Sequence, residues 1–128
     1  MSKCVLDASA LLALLNGEPG VEKVAAAVGD AAVCAVNLAE AYRKLVSRGM
    51  PPEPAREALA GLALDIVPFD EEMAYVTGAL RTATDKLGLS LGDRACLATA
   101  KQLKLPAYTA DREWLKLKMP TVKVVCIR

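Results

Sequence analysis

The sequence predicts a single α/β domain, with a parallel β-sheet that is covered by helices on both faces. Short apolar segments typical of buried strands alternate with longer amphipathic segments typical of helices. The chain has 128 residues, the length of one domain, and no repeat, linker or low-complexity segment interrupts it. Its composition, 54% hydrophobic and 24% charged, is that of a globular protein. We therefore expect one domain over residues 1–128.

The predicted elements alternate along most of the chain. Strands are predicted at residues 3–7, 31–36, 64–69, 105–110 and 121–128, where short apolar runs are bounded by turn residues. Helices are predicted at residues 9–17, 21–29, 37–49, 51–63, 70–88 and 90–104, where apolar residues recur with helical spacing. When helices connect consecutive parallel strands, those helices pack on the faces of the sheet and cover it on both sides.

Several helix boundaries follow from their terminal residues. Gly17 and Gly49 stand at the predicted ends of the first and third helices, where glycine commonly terminates a helix. Prolines open the fourth helix, in the turn that tolerates them best. Residues 37–40 (NLAE) and 90–93 (SLGD) fit the capping-box pattern, which would place Asn37 at a helix N-cap.

The residue types present limit the chemistry. The chain has no histidine, and its four cysteines (Cys4, Cys34, Cys96 and Cys126) are far apart in apolar segments. This argues against a zinc site and against a histidine-dependent triad, and it predicts four reduced core cysteines. Hydrolytic chemistry in this chain would therefore be expected to use carboxylates together with a metal ion.

Four acidic residues are candidates for that chemistry. Asp7 ends the first predicted strand, Glu40 follows the second, Asp93 opens the last helix, and Asp111 follows the fourth strand. Ligands of open parallel sheets bind beyond the carboxyl ends of the strands, where the strand order reverses. Taken singly, each acid is explained more simply as a helix cap. Capping does not explain a set of acids on one edge, where they would repel one another without a cation.

Four spaced segments, CVLDASALLALL, VNLAEAYRKL, LSLGDRACLATA and AYTADREWLKL, resemble the PIN-domain ribonucleases, and among them the VapC toxins of prokaryotic toxin–antitoxin pairs. The resemblance implies a five-stranded parallel sheet and cleavage of RNA with Mg²⁺ or Mn²⁺. It also implies a homodimer that is neutralised by a cognate antitoxin. The family's acidic quartet maps onto Asp7, Glu40, Asp93 and Asp111, and its neighbouring hydroxyl positions onto Ser9 and Thr109.

The preferences of hard divalent cations for oxygen ligands agree with this resemblance. We expect Asp7 and Asp93 to contact the metal directly. Glu40 and Asp111 would ligate a second ion, bind through water, or orient the attacking water. The hydroxyls would act as hydrogen-bonding neighbours of the ligands.

Basic residues outnumber acidic ones from residue 94 to the end of the chain, and this segment either tracks a polyanion or is a solvated surface. Arg94 and Arg112 stand beside two of the acids. They would hold substrate phosphates, or, as an equal alternative, form ion pairs that offset the acidic charge. The apolar residues of segment 70–88 lend modest support to the homodimer.

Two other function classes stay open. A doubly wound phosphatase or phospho-acceptor domain also places an aspartate after the first strand, although Ser9 stands where a haloacid-dehalogenase-like enzyme needs a second acid. A non-catalytic PIN-like binding module would use the acids only as caps. With no signal peptide and no apolar stretch long enough for a membrane span, the protein is expected to be cytoplasmic and free of membrane partners.

Overall fold

The computed structural model describes all residues, 1–128, as an α/β fold of five strands and seven α-helices. The strands are β1 (Cys4–Leu6), β2 (Ala31–Cys34), β3 (Asp65–Val67), β4 (Ala107–Thr109) and β5 (Val124–Cys126). The helices are α1 (Ala8–Asn16), α2 (Val21–Ala27), α3 (Ala35–Ser47), α4 (Pro52–Ala60), α5 (Glu71–Ala79), α6 (Arg81–Thr84) and α7 (Leu91–Leu103). Short 3₁₀ helices cover Val28–Asp30, Asp85–Leu87 and Arg112–Lys116.

All five strands are parallel, in the order β3-β2-β1-β4-β5, which confirms the predicted sheet. Strands β2 and β3 are added in turn on one side of β1, and the chain then crosses back so that β4 lies on the other side of β1. The strand order therefore reverses between β1 and β4, where Leu6 lies opposite Tyr108. In folds of this type, the carboxyl ends of the strands at such a reversal form the usual ligand site.

Helices cover both faces of the sheet, as predicted. Cys4 and Leu6 on β1 pack into one apolar cluster with residues of α1 to α4, whereas Val5 packs into a second cluster with residues of α5 and α7. This alternation follows from the two-residue repeat of a strand. Trp114, which is fully buried, completes the second cluster. None of the helices combines the length and apolar character needed to cross a bilayer.

The start of α3 differs from the prediction. Strand β2 pairs with β3 only as far as Cys34, opposite Val67, and the chain then turns directly into a helix at Ala35. Asn37 is therefore inside the first turn of α3, and the N-cap position, Cys34, makes no side-chain capping bond. The predicted capping box at residues 37–40 is wrong, because the strand ends two residues earlier than its apolar pattern indicates.

The predicted helix over residues 70–88 is also not continuous. It divides into α5, α6 and a 3₁₀ turn, with the first break just after Gly78, the weakest helix former in this segment. By contrast, Gly17 and Gly49 have positive φ angles (63° and 104°) just beyond the ends of α1 and α3, as predicted.

All four cysteines are free thiols. Cys4, Cys34 and Cys96 are buried core residues, as expected, and burial raises the pKa of Cys4 and Cys96 above the usual thiol value. Cys126 differs, because it lies half-buried on the edge strand β5. The prediction of a core position is therefore right for three of the four.

Candidate active site

Asp7 is the buried centre of the candidate site. It follows β1 directly, with 4% of its surface exposed, and serves as the N-cap of α1. Its Oδ1 accepts hydrogen bonds from the backbone N–H of Ala10 at 2.8 Å and from the Ser9 hydroxyl at 2.7 Å. Its Oδ2 accepts one from the Thr109 hydroxyl at 2.6 Å. A carboxylate has about four acceptor positions, so Oδ2 retains one for a further partner.

The two hydroxyls tie Asp7 to the end of β4. Each hydroxyl has one proton, and Ser9 and Thr109 both donate theirs to Asp7. Ser9 Oγ then accepts from the backbone N–H of Ala110 at 2.9 Å, and Thr109 Oγ1 accepts from that of Asp111 at 3.1 Å. Residues from the beginning and the end of the chain thus form one hydrogen-bond network at the strand-order reversal.

Burial has the largest effect on the pKa of Asp7. Loss of solvent raises its pKa to about 6, although the hydrogen bonds from Thr109, Ser9 and Ala10 act in the opposite direction. The negative charge of Asp93 raises the pKa of Asp7 further. The network is suited to an ionised Asp7, since its three hydrogen bonds are all accepted by the carboxylate. A nearby cation would stabilise that form.

Asp93 lies in the first turn of α7, in the capping box that the sequence predicts. Ser90 Oγ accepts from the backbone N–H of Asp93 at 3.2 Å, and Asp93 Oδ2 accepts from the backbone N–H of Ser90 at 3.0 Å. Oδ1 of Asp93 makes no hydrogen bond to the protein. Capping therefore occupies one carboxylate oxygen and leaves the other available.

Glu40 lies one turn beyond Asn37 on α3, half-buried against the start of α7. Glu40 Oε1 accepts from Asn37 Nδ2 at 3.1 Å, and the same nitrogen donates to the carbonyl oxygen of Gly92 at 2.9 Å. A Cβ atom on Gly92 would overlap the Glu40 carboxylate. Sequence reasoning missed both Asn37 and Gly92 as parts of the site. The available signals were a polar residue one turn before the acid and a glycine in the first turn of a helix.

Asp111 follows β4 and is exposed. Its Oδ1 caps the 3₁₀ helix Arg112–Lys116 by accepting from the backbone N–H of Glu113 at 2.9 Å. Like Asp93 and Glu40, it keeps one carboxylate oxygen without a hydrogen bond. Capping and metal binding are therefore compatible roles for Asp93 and Asp111, since each role can use a different oxygen.

The four acids lack cationic partners. None of them lies within 4.0 Å of a lysine or arginine nitrogen, because all four salt bridges of the protein involve other acids. Burial raises the pKa of the Cys96 thiol, and the negative charges of Asp7, Asp93 and Glu40 raise it further. No three acidic or cysteine side chains are close enough together to form a ready-made metal site. The oxygen donors suit a hard divalent cation, and they would have to move closer to hold one.

The two candidate arginines lie beside the acids without pairing with them. Arg94 Nη1 donates to the carbonyl oxygen of Leu89 at 3.0 Å, and Arg112 Nε donates to that of Arg128 at 3.1 Å. The alternative that they form ion pairs with the quartet is therefore wrong. Phosphate binding by these arginines stays a prediction.

Residues 4–118 match the sequence profile of the PIN domain. The chain belongs to the PIN domain family. The matched region contains all four acids and both hydroxyl residues, and it assigns the chain to this nuclease fold rather than to the doubly wound phosphatases. No curated protein matches the chain by sequence.

Solved structures similar to this PIN domain include three bacterial proteins. A toxin–antitoxin complex from Klebsiella pneumoniae matches with a TM-score of 0.76 and 21% identity, covering 98% of each chain. FitAcB from Neisseria gonorrhoeae matches with a TM-score of 0.72 and 24% identity, covering 97% of each chain. VapC20 from Mycobacterium tuberculosis, a sarcin–ricin loop cleaving toxin, matches with a TM-score of 0.76 and 16% identity, covering 94% of this chain and 99% of its own. At these identities the similarity establishes the fold.

Proposed function

We propose that this PIN domain is a metal-dependent endoribonuclease and the toxin of a toxin–antitoxin pair. One observation carries the proposal: Asp7 is buried at the strand-order reversal, holds three hydrogen bonds as a carboxylate, and is repelled by Asp93 with no cationic side chain to offset either charge. Burial of unpaired charge is costly unless a ligand relieves it. A divalent cation bound by these acids is the ligand that fits best.

The carboxylate oxygens that can still accept a bond indicate which acids would bind the metal. Asp7 Oδ2 and Asp93 Oδ1 would hold the metal, and Glu40 Oε2 and Asp111 Oδ2 are available for a second ion or for a water. A bound Mg²⁺ or Mn²⁺ ion supplies an acidified water and neutralises charge on the scissile phosphate. The protein's own part is to keep Asp7 ionised and fixed in orientation through Ser9 and Thr109. With no histidine in the chain, these carboxylates are also the candidates to orient water.

RNA is the proposed substrate because the acids lie beside basic residues that do not neutralise them. Arg112 and Lys116 lie on the 3₁₀ helix that Asp111 caps, and both are exposed. Arginine and lysine on such a surface can bind phosphates on either side of the scissile bond. One of the structurally similar proteins, VapC20, is a sarcin–ricin loop cleaving toxin, which supports an RNA substrate.

A protein antitoxin is the proposed inhibitor. A partner antitoxin is supported by the similar structures, which include a toxin–antitoxin complex from Klebsiella pneumoniae and DNA-bound VapBC from Salmonella typhimurium. The chain has an apolar groove of about 560 Å³ between α3 and α4, lined by residues that include Leu38, Tyr42 and Leu59. The groove lies on the face of α3 that carries Leu38 and Tyr42, and Glu40 is not among its lining residues. We expect an apolar segment of the antitoxin there, and we expect the toxin to be a homodimer.

Purified protein tests the nuclease proposal. Cleavage of a single-stranded RNA should require Mg²⁺ or Mn²⁺, should stop in EDTA, and should be lost in Asp93→Asn. The asparagine keeps the size of the side chain and an oxygen able to accept the capping bond, so the variant should fold. Cleavage that persists in EDTA, or in Asp93→Asn at the wild-type rate, would contradict the proposal.

Expression in a bacterial host tests the toxin proposal separately. Wild-type protein should arrest growth, Asp93→Asn should not, and co-expression of the small reading frame beside the gene should restore growth. If the purified enzyme cleaves RNA but expression is harmless, the nuclease assignment stands and the toxin assignment fails.

A further inference from the structure

Asn37 holds Glu40 and the start of α7 with a single amide group. Its Nδ2 donates to Glu40 Oε1 at 3.1 Å and to the carbonyl oxygen of Gly92 at 2.9 Å. The amide nitrogen has two protons, so both are used. Because Gly92 directly precedes Asp93, one side chain fixes two candidate metal ligands, on two different helices, relative to each other.

The free-energy cost of burying an amide at residue 37 indicates that Asn37 does more than fill space in the core. Asn37 is 1% exposed, and its Oδ1 is buried with no hydrogen-bond partner in the protein. An unpaired buried carbonyl destabilises a fold, whereas an apolar side chain of similar size would not carry that cost. What asparagine supplies at this position, and leucine does not, is the pair of N–H donors.

Gly92 shapes the same contact from the facing helix. A side chain at this position would overlap the Glu40 carboxylate, so the absence of a Cβ atom leaves the space that the carboxylate occupies. The φ angle of Gly92 is not positive, and alanine therefore fits the backbone. Because the end of the Glu40 side chain is flexible, alanine at residue 92 would displace the carboxylate and leave the fold intact.

We propose that Asn37 is a positioning residue whose amide, with the space left by Gly92, sets where Glu40 lies relative to Asp93 and thereby sets the affinity of the site for a divalent cation. This inference rests on the proposed function, since it takes both acids as metal ligands. Residues that orient a metal ligand through a hydrogen bond contribute about 10- to 100-fold to metal affinity. Asn37 should act on binding of the metal itself, before any RNA is present.

Titration calorimetry with Mn²⁺ alone, on the full chain, tests this role. Asn37→Leu and Gly92→Ala should each weaken Mn²⁺ binding by about 10- to 100-fold while urea unfolding shows both to be folded. In a Glu40→Gln background, Asn37→Leu should cause no further tenfold loss, because the amide acts through Glu40. A purely structural tie between α3 and α7 would change unfolding but would leave Mn²⁺ affinity unchanged.

Each other outcome has a defined meaning. Wild-type affinity in folded Asn37→Leu, or an equal loss with and without the Glu40 carboxylate, overturns the positioning role. If Asn37→Leu does not fold, Gly92→Ala provides the test, because it leaves Asn37 in place. Wild-type Mn²⁺ affinity in folded Gly92→Ala would also overturn the positioning role of Asn37. If the wild-type protein binds no Mn²⁺, the proposed function and this inference both fail. If wild type binds and the variants match it, only the inference fails.

Discussion

The Thr109 hydroxyl donates a 2.6 Å hydrogen bond to Asp7 Oδ2 across the boundary between β1 and β4. The two residues are 102 positions apart in the chain, and the reversal of strand order brings them together. Thr109 Oγ1 also accepts from the backbone N–H of Asp111. A substitution of Asp7 should therefore also affect the position of Asp111, because the Thr109 hydroxyl bonds to both residues.

The stability of the metal-free protein should depend on pH through Asp7. Its pKa is raised from 3.8 to about 6 by burial, so the folded state binds a proton that the unfolded state has already lost between about pH 4 and pH 6. Stability should fall as pH rises through this window and level off above it. With about 1.4 kcal/mol per pKa unit, the stability lost is about 2–3 kcal/mol.

Asp7→Asn isolates that effect. The free energy of unfolding of the variant minus that of wild type, measured by urea titration in EDTA, should grow between pH 4 and pH 6 and then stay constant. Carboxyl groups that do not interact with Asp7 cancel in this difference. A difference that is independent of pH would show that burial of Asp7 does not perturb its ionisation.

The same variant should lose metal-dependent RNA cleavage while remaining folded. Asparagine caps about as well as aspartate, but it lacks the negative charge that holds a divalent cation. The measurements are cleavage rate with Mn²⁺ and Mn²⁺ affinity. Wild-type values for Asp7→Asn would leave Asp7 as a cap alone.

Asp70 provides the matched control for capping. It caps α5 in the same way, accepting from the backbone N–H of Met73 at 2.9 Å, but it is exposed and follows the outer strand β3. Asp70→Ala should cost about 1 kcal/mol of stability and leave cleavage unchanged. Asn37→Ala cannot serve as such a control, because Asn37 is not a cap.

RNA binding should weaken with salt, and Arg112 should contribute to that dependence. Each phosphate neutralised on a single strand contributes about −0.7 to the slope of log affinity against log salt. Arg112→Ala should reduce the magnitude of the slope by about 0.7 if the guanidinium contacts a phosphate. Lys101→Ala is the control, since Lys101 is exposed about 12 Å along α7 from Asp93, given the helical rise per residue. Equal slopes for wild type and Arg112→Ala would remove Arg112 from the substrate path.

The thiols should react in the order of their exposure. Cys126 is half-buried and should be modified first by a thiol reagent in the folded protein, whereas the buried Cys4, Cys34 and Cys96 should react only on unfolding. Denatured, non-reduced protein should show four free thiols, since the structure has no disulfide. Fewer than four would indicate a disulfide that this fold does not contain.

Light scattering should find a homodimer at micromolar concentration. The predicted apolar surplus of segment 70–88 is smaller in the structure than the sequence indicates, because Met73 and Leu80 are buried in the core. Tyr75 is 69% exposed and is the remaining large apolar side chain on α5. Tyr75→Arg should shift the protein toward monomer if α5 is in the interface. A monomeric wild type would contradict the dimer, and a dimeric Tyr75→Arg would place the interface elsewhere.

Features that depend on local pattern could be predicted from the sequence. The alternation of apolar strands and amphipathic helices, the glycine ends of α1 and α3, and the Ser90–Asp93 capping box are each encoded within a few residues. The parallel sheet follows from that alternation, and it places Asp7 and Asp111 just beyond the ends of their strands.

Which side chains meet could not be predicted, because it depends on how distant segments pack. No local pattern encodes that β4 lies beside β1, which joins Thr109 to Asp7, or that α3 lies against α7, which joins Asn37 to Gly92. The start of α3 was decided in the same way, because β2 ends where its pairing with β3 ends, at Cys34. Contacts between distant segments depend on strand order and helix packing, and these are set by burial of the whole core rather than by the preferences of any one segment.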